Sequence, residues 1–371
     1  MMQRQWDCER VNQYQQQLPE CHSHAIARNI KDNLSYYVFG GEGQHQLYNT
    51  LYKITMEGGQ IVQINEEAND EGNEGEEYPI ERRNHAIGMM EARGPQEHLD
   101  IIIVYGGFNL TKGALRDMWI YNIYTRKWKE IKPLNGNEKG PGPMYKHTIC
   151  IYQNEMIVYG GLGSDRSLQA IHHYNIQTNT WKRFRTETST STRENKERYP
   201  IHRYDHTAVM KGMQMILFGG LSLPGMALND TWMYNVEKKE FIELKATGSV
   251  PAPRYGHTAC ISQNSMYVFG GYNIPTDQAL FQLDILSGYW RNIQLGYFPN
   301  LLTFRTASTI VNNNMVIYGG MGLTDRTTTT KDTITNEMHV IHLQKKMAEK
   351  PQDFKKNDQP YQQPYQQQQQ Q

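Results

Sequence analysis

The sequence predicts an all-β protein, a six-bladed β-propeller with four antiparallel strands per blade. Three observations predict it. Six double glycines each close a short apolar run: Val38-Phe39-Gly40-Gly41, Val104-Tyr105-Gly106-Gly107, Val158-Tyr159-Gly160-Gly161, Leu217-Phe218-Gly219-Gly220, Val268-Phe269-Gly270-Gly271 and Ile317-Tyr318-Gly319-Gly320. Successive pairs stand 66, 54, 59, 51 and 49 residues apart, and self-similarity at such a period marks a repeat architecture. Each unit also offers four short runs rich in β-branched and aromatic residues between polar turns, the pattern of antiparallel strands. One such sheet alone cannot bury both its faces. Six packed radially cover one another and leave only short edges.

The third unit shows the layout. Strands are expected over 147–152, 155–159, 170–175 and 181–185, with turns at Gln153-Asn154 and Gln177-Thr178-Asn179. His147, His206 and His257 stand thirteen residues before the first glycine of units three to five, and Thr306 holds that place in unit six. His24 and His85 take the part in units one and two at longer spacing. After the glycines comes a loop, then an aromatic or apolar residue, and seven residues later a large aromatic: Tyr121 and Trp128, Tyr174 and Trp181, Tyr234 and Phe241, Leu283 and Trp290. The outer-strand tryptophans are expected to pack between blades. The glycines are expected where backbone or a bulky neighbour approaches closely.

This order of His, Gly-Gly, Tyr-Asn and Trp resembles the Kelch repeat, over about residues 20–343. The blades are expected at about 20–64, 80–132, 143–186, 200–245, 252–295 and 302–343. The sixth unit has no tryptophan after its third strand, whereas Gln5-Trp6-Asp7-Cys8-Glu9 resembles Tyr289-Trp290-Arg291-Asn292-Ile293. Residues 5–11 are therefore expected to supply the outer strand of blade six and to dispose of an open edge. Residues 344–371, rich in Gln and poor in apolar mass, are expected to be a disordered tail.

Composition narrows the function. The chain of 371 residues carries 38 basic and 38 acidic side chains, so no overall field favours nucleic acid or an anionic membrane. No apolar run reaches the roughly twenty residues of a membrane span, and the N-terminus has no apolar signal core. Cys8, Cys21, Cys150 and Cys260 form no CxxC. Cys150 and Cys260 fall inside predicted inner strands and are expected as buried free thiols in a reducing compartment. A cytoplasmic location is the expectation.

Three insertions lengthen the regular unit: residues 65–78 with a run of acids from Glu66 to Glu77, residues 186–198, and residues 323–336. Strand alternation puts all three on the face that carries the Gly-Gly loops, which makes that face the expected working surface. Arginines and aromatics precede the inner strands there. The expected partner-binding set is Arg83, Arg203, Tyr204, Arg254, Tyr255 and Arg305, residue types enriched at recognition hot spots. The resemblance implies that a peptide is held there. The acidic run is expected to compete for the same rim.

The five repeat histidines recur once per blade, which points to packing rather than to a metal centre, whose ligands must converge. No GxSxG, phosphate loop or HExxH is present. Some proteins of the Kelch type are enzymes: copper oxidases, sugar-acid epimerases and iron-dependent specifier proteins. The first need two Tyr and two His ligands with a Cys–Tyr crosslink, and the last a Glu, Asp and His cluster, and no equivalent set stands out here. The sequence is thus read as a non-enzymatic protein-interaction scaffold, without metal or cofactor, serving a cytoskeletal, ciliary or trafficking assembly. A substrate receptor of a ubiquitin ligase is the alternative, and a small-molecule enzyme the third reading.

Overall fold

The computed structural model describes residues 8–11, 18–68, 77–93, 98–134, 140–163, 170–185, 199–272, 280–295, 302–323 and 333–343. Every regular element among them is a β-strand. Blade one comprises Ala25–Arg28, Ser35–Glu42, Leu47–Glu57 and Gln60–Ala68, and blade two Ala86–Arg93, His98–Tyr105, Met118–Asn122 and Lys127–Glu130. Blade three is Thr148–Tyr152, Glu155–Tyr159, Ala170–Asn175 and Thr180–Arg185. Blade four is Thr207–Lys211, Gln214–Ser222, Ala227–Asn235 and Glu240–Glu243, and blade five Thr258–Ser262, Ser265–Phe269, Leu280–Asp284 and Tyr289–Ile293. In each the strands pair antiparallel from the channel outward.

The period of two explains the packing. On Glu155–Tyr159, Met156 and Val158 join the core shared with blade two, while Ile157 and Tyr159 join the core shared with blade four. Six such cores alternate with six blades, the last lying between blades six and one. Each outer-strand aromatic leans on the preceding blade: Trp128 on Phe39, Trp181 on Tyr105, Phe241 on Tyr159 and Trp290 on Phe218, with ring centroids 4.9–5.5 Å apart. Aromatic pairs of this kind add about 1 kcal/mol beyond area burial. Turns between strands carry the left-handed residues the hairpins require, Gln153 (φ 51°) and Asn179 (φ 52°) among them.

Blade six takes Ala307–Val311, Asn314–Tyr318 and Met338–His342, and its outermost strand is Cys8–Arg10. Cys8 stands opposite Ile341, Glu9 opposite Val340 and Arg10 opposite His339. The Val11 amide donates to the Met338 carbonyl at 2.8 Å. Trp6, expected in this strand, lies outside the described residues.

Two features depart from the expected layout. Thr247–Gly248 runs parallel to Tyr289–Ile293 and covers the outer edge of blade five. Glu66 and Glu67, read as part of an acidic loop, belong instead to the outer strand Gln60–Ala68. Glu67 is held there by Arg126 at 3.1 Å and by the Tyr121 hydroxyl at 3.2 Å. The remainder of that run up to residue 76, and residues 186–198 and 324–332 of the other insertions, lie outside the described residues. No helix among the described residues is long and apolar enough to cross a membrane.

Candidate functional site at the mouth of the channel

The residue just before each repeat histidine builds the mouth. Ser23, Asn84, Lys146, Asp205, Gly256 and Arg305 all adopt left-handed φ, between 50° and 64°. Their backbones form a closed circuit. Asn84 N donates to Ser23 O, Lys146 N to Asn84 O, Asp205 N to Lys146 O, Gly256 N to Asp205 O, Arg305 N to Gly256 O and Ser23 N to Arg305 O, at 2.7–3.1 Å. Five non-glycine residues in this conformation are uncommon, and the circuit is what holds them there.

The double glycines seat the histidines behind this ring. A Cβ on Gly40 would stand 2.7 Å from the His85 ring, and one on Gly41 2.8 Å from the His24 Cβ. The first glycine thus admits the next blade's imidazole and the second the backbone of its own. The Gly41, Gly107, Gly161, Gly220 and Gly320 amides donate to the carbonyls of Arg82, Met144, Arg203, Arg254 and Cys21 on the following blade. All five histidines are buried. Desolvation lowers the pKa of His24, His147 and His257 to about 3 and carries His85 and His206 well below the usual value, so all five rings are neutral. His206 Nε2 meets the Thr148 hydroxyl at 2.8 Å and His257 Nε2 the Thr207 hydroxyl at 2.9 Å. Where the preceding blade carries Ala307, Ala25 or Ala86 instead, Nε2 of His24, His85 or His147 has no hydroxyl partner among the described residues. No group of three or more His, Cys, Asp or Glu side chains among the described residues is placed to hold a metal.

The expected partner-binding set divides. Arg203 and Arg254 do not stand on the rim. They are 0% and 1% exposed, locked inside their blades. Arg203 donates through Nε to the Ile201 carbonyl, through one terminal nitrogen to the Gly219 carbonyl and bidentately to Asp230 at 2.6 and 2.7 Å. Arg254 repeats the bonds to the Ala252 and Gly270 carbonyls and lies over the Phe281 ring at 4.8 Å. Arg82 pairs with Asp117 in the same way. Trp119 and Trp232 each donate their indole N–H to the partner aspartate at 2.7 Å. Burial pushes the Asp117 and Asp230 carboxyls up, but the arginine bonds and charge outweigh it and hold them below the usual range.

The other four do face the mouth. Arg83 pairs with Glu42 and lies over Phe108 at 5.4 Å, and Phe108 meets Tyr145 edge-on at 5.2 Å. Lys146 bridges to Asp205 at 2.5 Å and caps the Tyr204 ring at 5.4 Å. Tyr255 packs on Tyr272 at 5.4 Å, Tyr272 on Phe304 at 6.3 Å, and Arg305 lies over Phe304 at 5.5 Å. The aromatics rise from short two-stranded extensions in which the residue two before the histidine, or its Thr306 equivalent, pairs with the segment after the glycines, as in Arg83–Phe108, Tyr204–Leu221 and Tyr255–Tyr272. They surround a cavity of about 150 Å³ lined by the six ring residues and the histidines. This volume admits side chains, not a folded domain.

Residues 102–364 match the family model described as the Attractin/LZTR1 beta-propeller. The chain belongs to this family. Its curated relatives are Kelch proteins: Kelch domain-containing protein 3 of Bos taurus is 26% identical over 234 residues, 60% of this chain and 58% of the relative. Kelch domain-containing protein 10 of Xenopus tropicalis is 26% identical over 319 residues, 79% of this chain and 70% of the relative. An F-box/kelch-repeat protein of Arabidopsis thaliana is 29% identical over 199 residues, 49% of this chain and 40% of the relative. The Kelch repeat thus accounts for the Gly-Gly, histidine and tryptophan positions. It does not account for the mouth, whose chemistry changes from blade to blade. Sequence reasoning missed Phe108 and Tyr272, which follow the glycines, and set too little weight on the residue before each histidine. The signal for Arg203 was present: Asp117-Met118-Trp119 and Asp230-Thr231-Trp232 share the spacing that binds Arg82 and Arg203.

Proposed function

We propose that this Kelch propeller binds an extended segment of a partner protein at the mouth of its channel, and that it serves as an interaction scaffold. The observation that carries this reading is the arc of half-exposed aromatics and cations around a small cavity on one face. Tyr and Arg give large contact area at low entropic cost, and they concentrate binding energy. Arg83, Tyr204, Tyr255 and Arg305 remain the anchors from the expected set, joined by Tyr145, Lys146 and Tyr272. Arg305 has no ion-pair partner among the described residues, which suits it to a carboxylate of the incoming segment. The scaffold would serve a cytoskeletal, ciliary or trafficking assembly in the cytoplasm. A ubiquitin-ligase substrate receptor is the second reading, supported by the relative whose name joins an F-box to kelch repeats.

A photo-crosslinking residue at Tyr272, compared with one at Leu286 on the opposite face, tests the site. Both side chains are exposed, at 36% and 80%. Protein adducts are expected at Tyr272. Adducts confined to Leu286 would place the partner on the other face and overturn the reading. Adducts that include a ligase adaptor would favour the second reading over the scaffold.

A further inference from the structure

The mouth combines two chemistries. Blades two to six present rings, namely Phe108, Tyr145, Tyr204, Tyr255, Tyr272 and Phe304. Blades one to three line the cavity with uncharged groups: Ser23, Asn84, and the neutral rings of His24, His85 and His147. Lys146 is already neutralised by Asp205, and Arg83 by Glu42. Arg305 alone of the mouth cations is left without an ion pair among the described residues, so a ligand that matches both halves carries rings and carboxamides and at most one carboxylate.

One stretch of this chain has that composition. Gln359–Gln371 consists of Gln, Pro and Tyr alone, with Pro360-Tyr361 and Pro364-Tyr365 separated by two glutamines. Proline-bearing segments favour an extended helix without internal hydrogen bonds, and aromatic-lined grooves recognise them at low entropic cost. Carboxamides carry both donors and acceptors, which suits them to the uncharged Ser23 and Asn84 that line the cavity.

The connection is long enough. The last described strand, Met338–His342, pairs antiparallel with Asn314–Tyr318, whose C-terminal end carries Gly319-Gly320 at the mouth. The chain therefore leaves Leu343 on the opposite face. Sixteen residues lie between Leu343 and Pro360, a reach of about 60 Å when extended. A five-residue strand rises only about 17 Å, and four strands span about 15 Å across a blade, so a path around blade six fits within that reach. Tethering also raises the local concentration of the segment to roughly millimolar, so a weak contact suffices.

We propose that the segment Gln359–Tyr365 docks in cis on the aromatic and carboxamide-compatible mouth and occupies it in competition with partners. This rests on the mouth being a segment-binding site. The test uses the full chain and a fluorescently labelled synthetic peptide of residues 359–371, read by anisotropy. A tail variant combining Pro360→Ala, Tyr361→Ala, Pro364→Ala and Tyr365→Ala is expected to bind the peptide about ten-fold more tightly than the natural chain, because the tethered competitor is gone. Adding Tyr272→Ser to that variant should abolish binding while the melting temperature holds; Leu286→Ser should leave binding unchanged. Equal affinity of natural chain and tail variant, no binding by either at millimolar peptide, or loss through Leu286→Ser would overturn the proposal. Crosslinking of a partner at Tyr272 alongside any of those outcomes would defeat the tail docking alone and leave the mouth reading standing.

Discussion

At the scale of single residues, neighbours in sequence have opposite fates. Arg82 is buried and Arg83 stands at the mouth; Arg203 is buried and Tyr204 faces out. Strand alternation sends one side chain in and the next out, so an arginine's type alone says nothing about its role. Arg203→Ala is expected to cost about 3 kcal/mol, because it leaves the Gly219 carbonyl without its arginine donor and the Asp230 carboxylate with only the Trp232 indole N–H and no balancing charge. Arg305→Ala should stay within about 0.5 kcal/mol, as surface changes do. Chemical denaturation of the two variants compares them, and equal losses would contradict the division between buried and rim arginines. The histidines that lack a hydroxyl partner permit a gain. Ala25→Thr would set a hydroxyl opposite His85 as Thr148 sits opposite His206, and should stabilise by about 1 kcal/mol. A lower midpoint would show that the space does not admit the methyl group.

At the scale of elements, most strands were legible because turns and apolar runs recur. In blade three the expected and observed strands differ by a residue at two ends. The parallel strand Thr247–Gly248 was not legible, since two residues carry no periodicity and its pairing depends on blade five being in place. Neither was the membership of Glu67 in a strand, because acidic runs usually read as solvated loops and the partners Tyr121 and Arg126 lie more than fifty residues away. The short strand Cys8–Arg10 bears on stability directly. It covers the edge of Met338–His342 and ties in through Arg10 to Glu337 at 3.0 Å. If Trp6 extends this strand into the core between blades five and six, Trp6→Ala should cost about 3–5 kcal/mol. Thermal melts decide it, and an unshifted midpoint would show that the tryptophan lies outside that core.

At the scale of the whole molecule, the repeat made the architecture readable and the same repetition hid the site. Symmetric positions report packing; the mouth is where the blades differ. The five buried imidazoles also make one collective prediction. Each is neutral in the folded protein, with a pKa far below the value near 6.5 that it regains on unfolding. The unfolded chain therefore takes up protons first as pH falls. Stability from these groups is complete above about pH 6.5 and declines below it, by up to about 1.4 kcal/mol per imidazole per pH unit. The melting temperature should drop steeply between pH 7 and pH 5, before the carboxylates begin to protonate. A flat profile over that range would mean that the rings can ionise in place.

The circuit of six backbone hydrogen bonds around the mouth has a consequence for how its specificity can change. Its atoms are main-chain atoms, so it accepts any side chain that tolerates the left-handed backbone its six positions share. Ser, Asn, Lys, Asp, Gly and Arg already occupy the six equivalent places. Like an embroidery hoop, the ring keeps its span while the pattern stretched across it is rewritten. Recognition can drift one blade at a time, among residues that tolerate this backbone, while the aperture that presents it is kept.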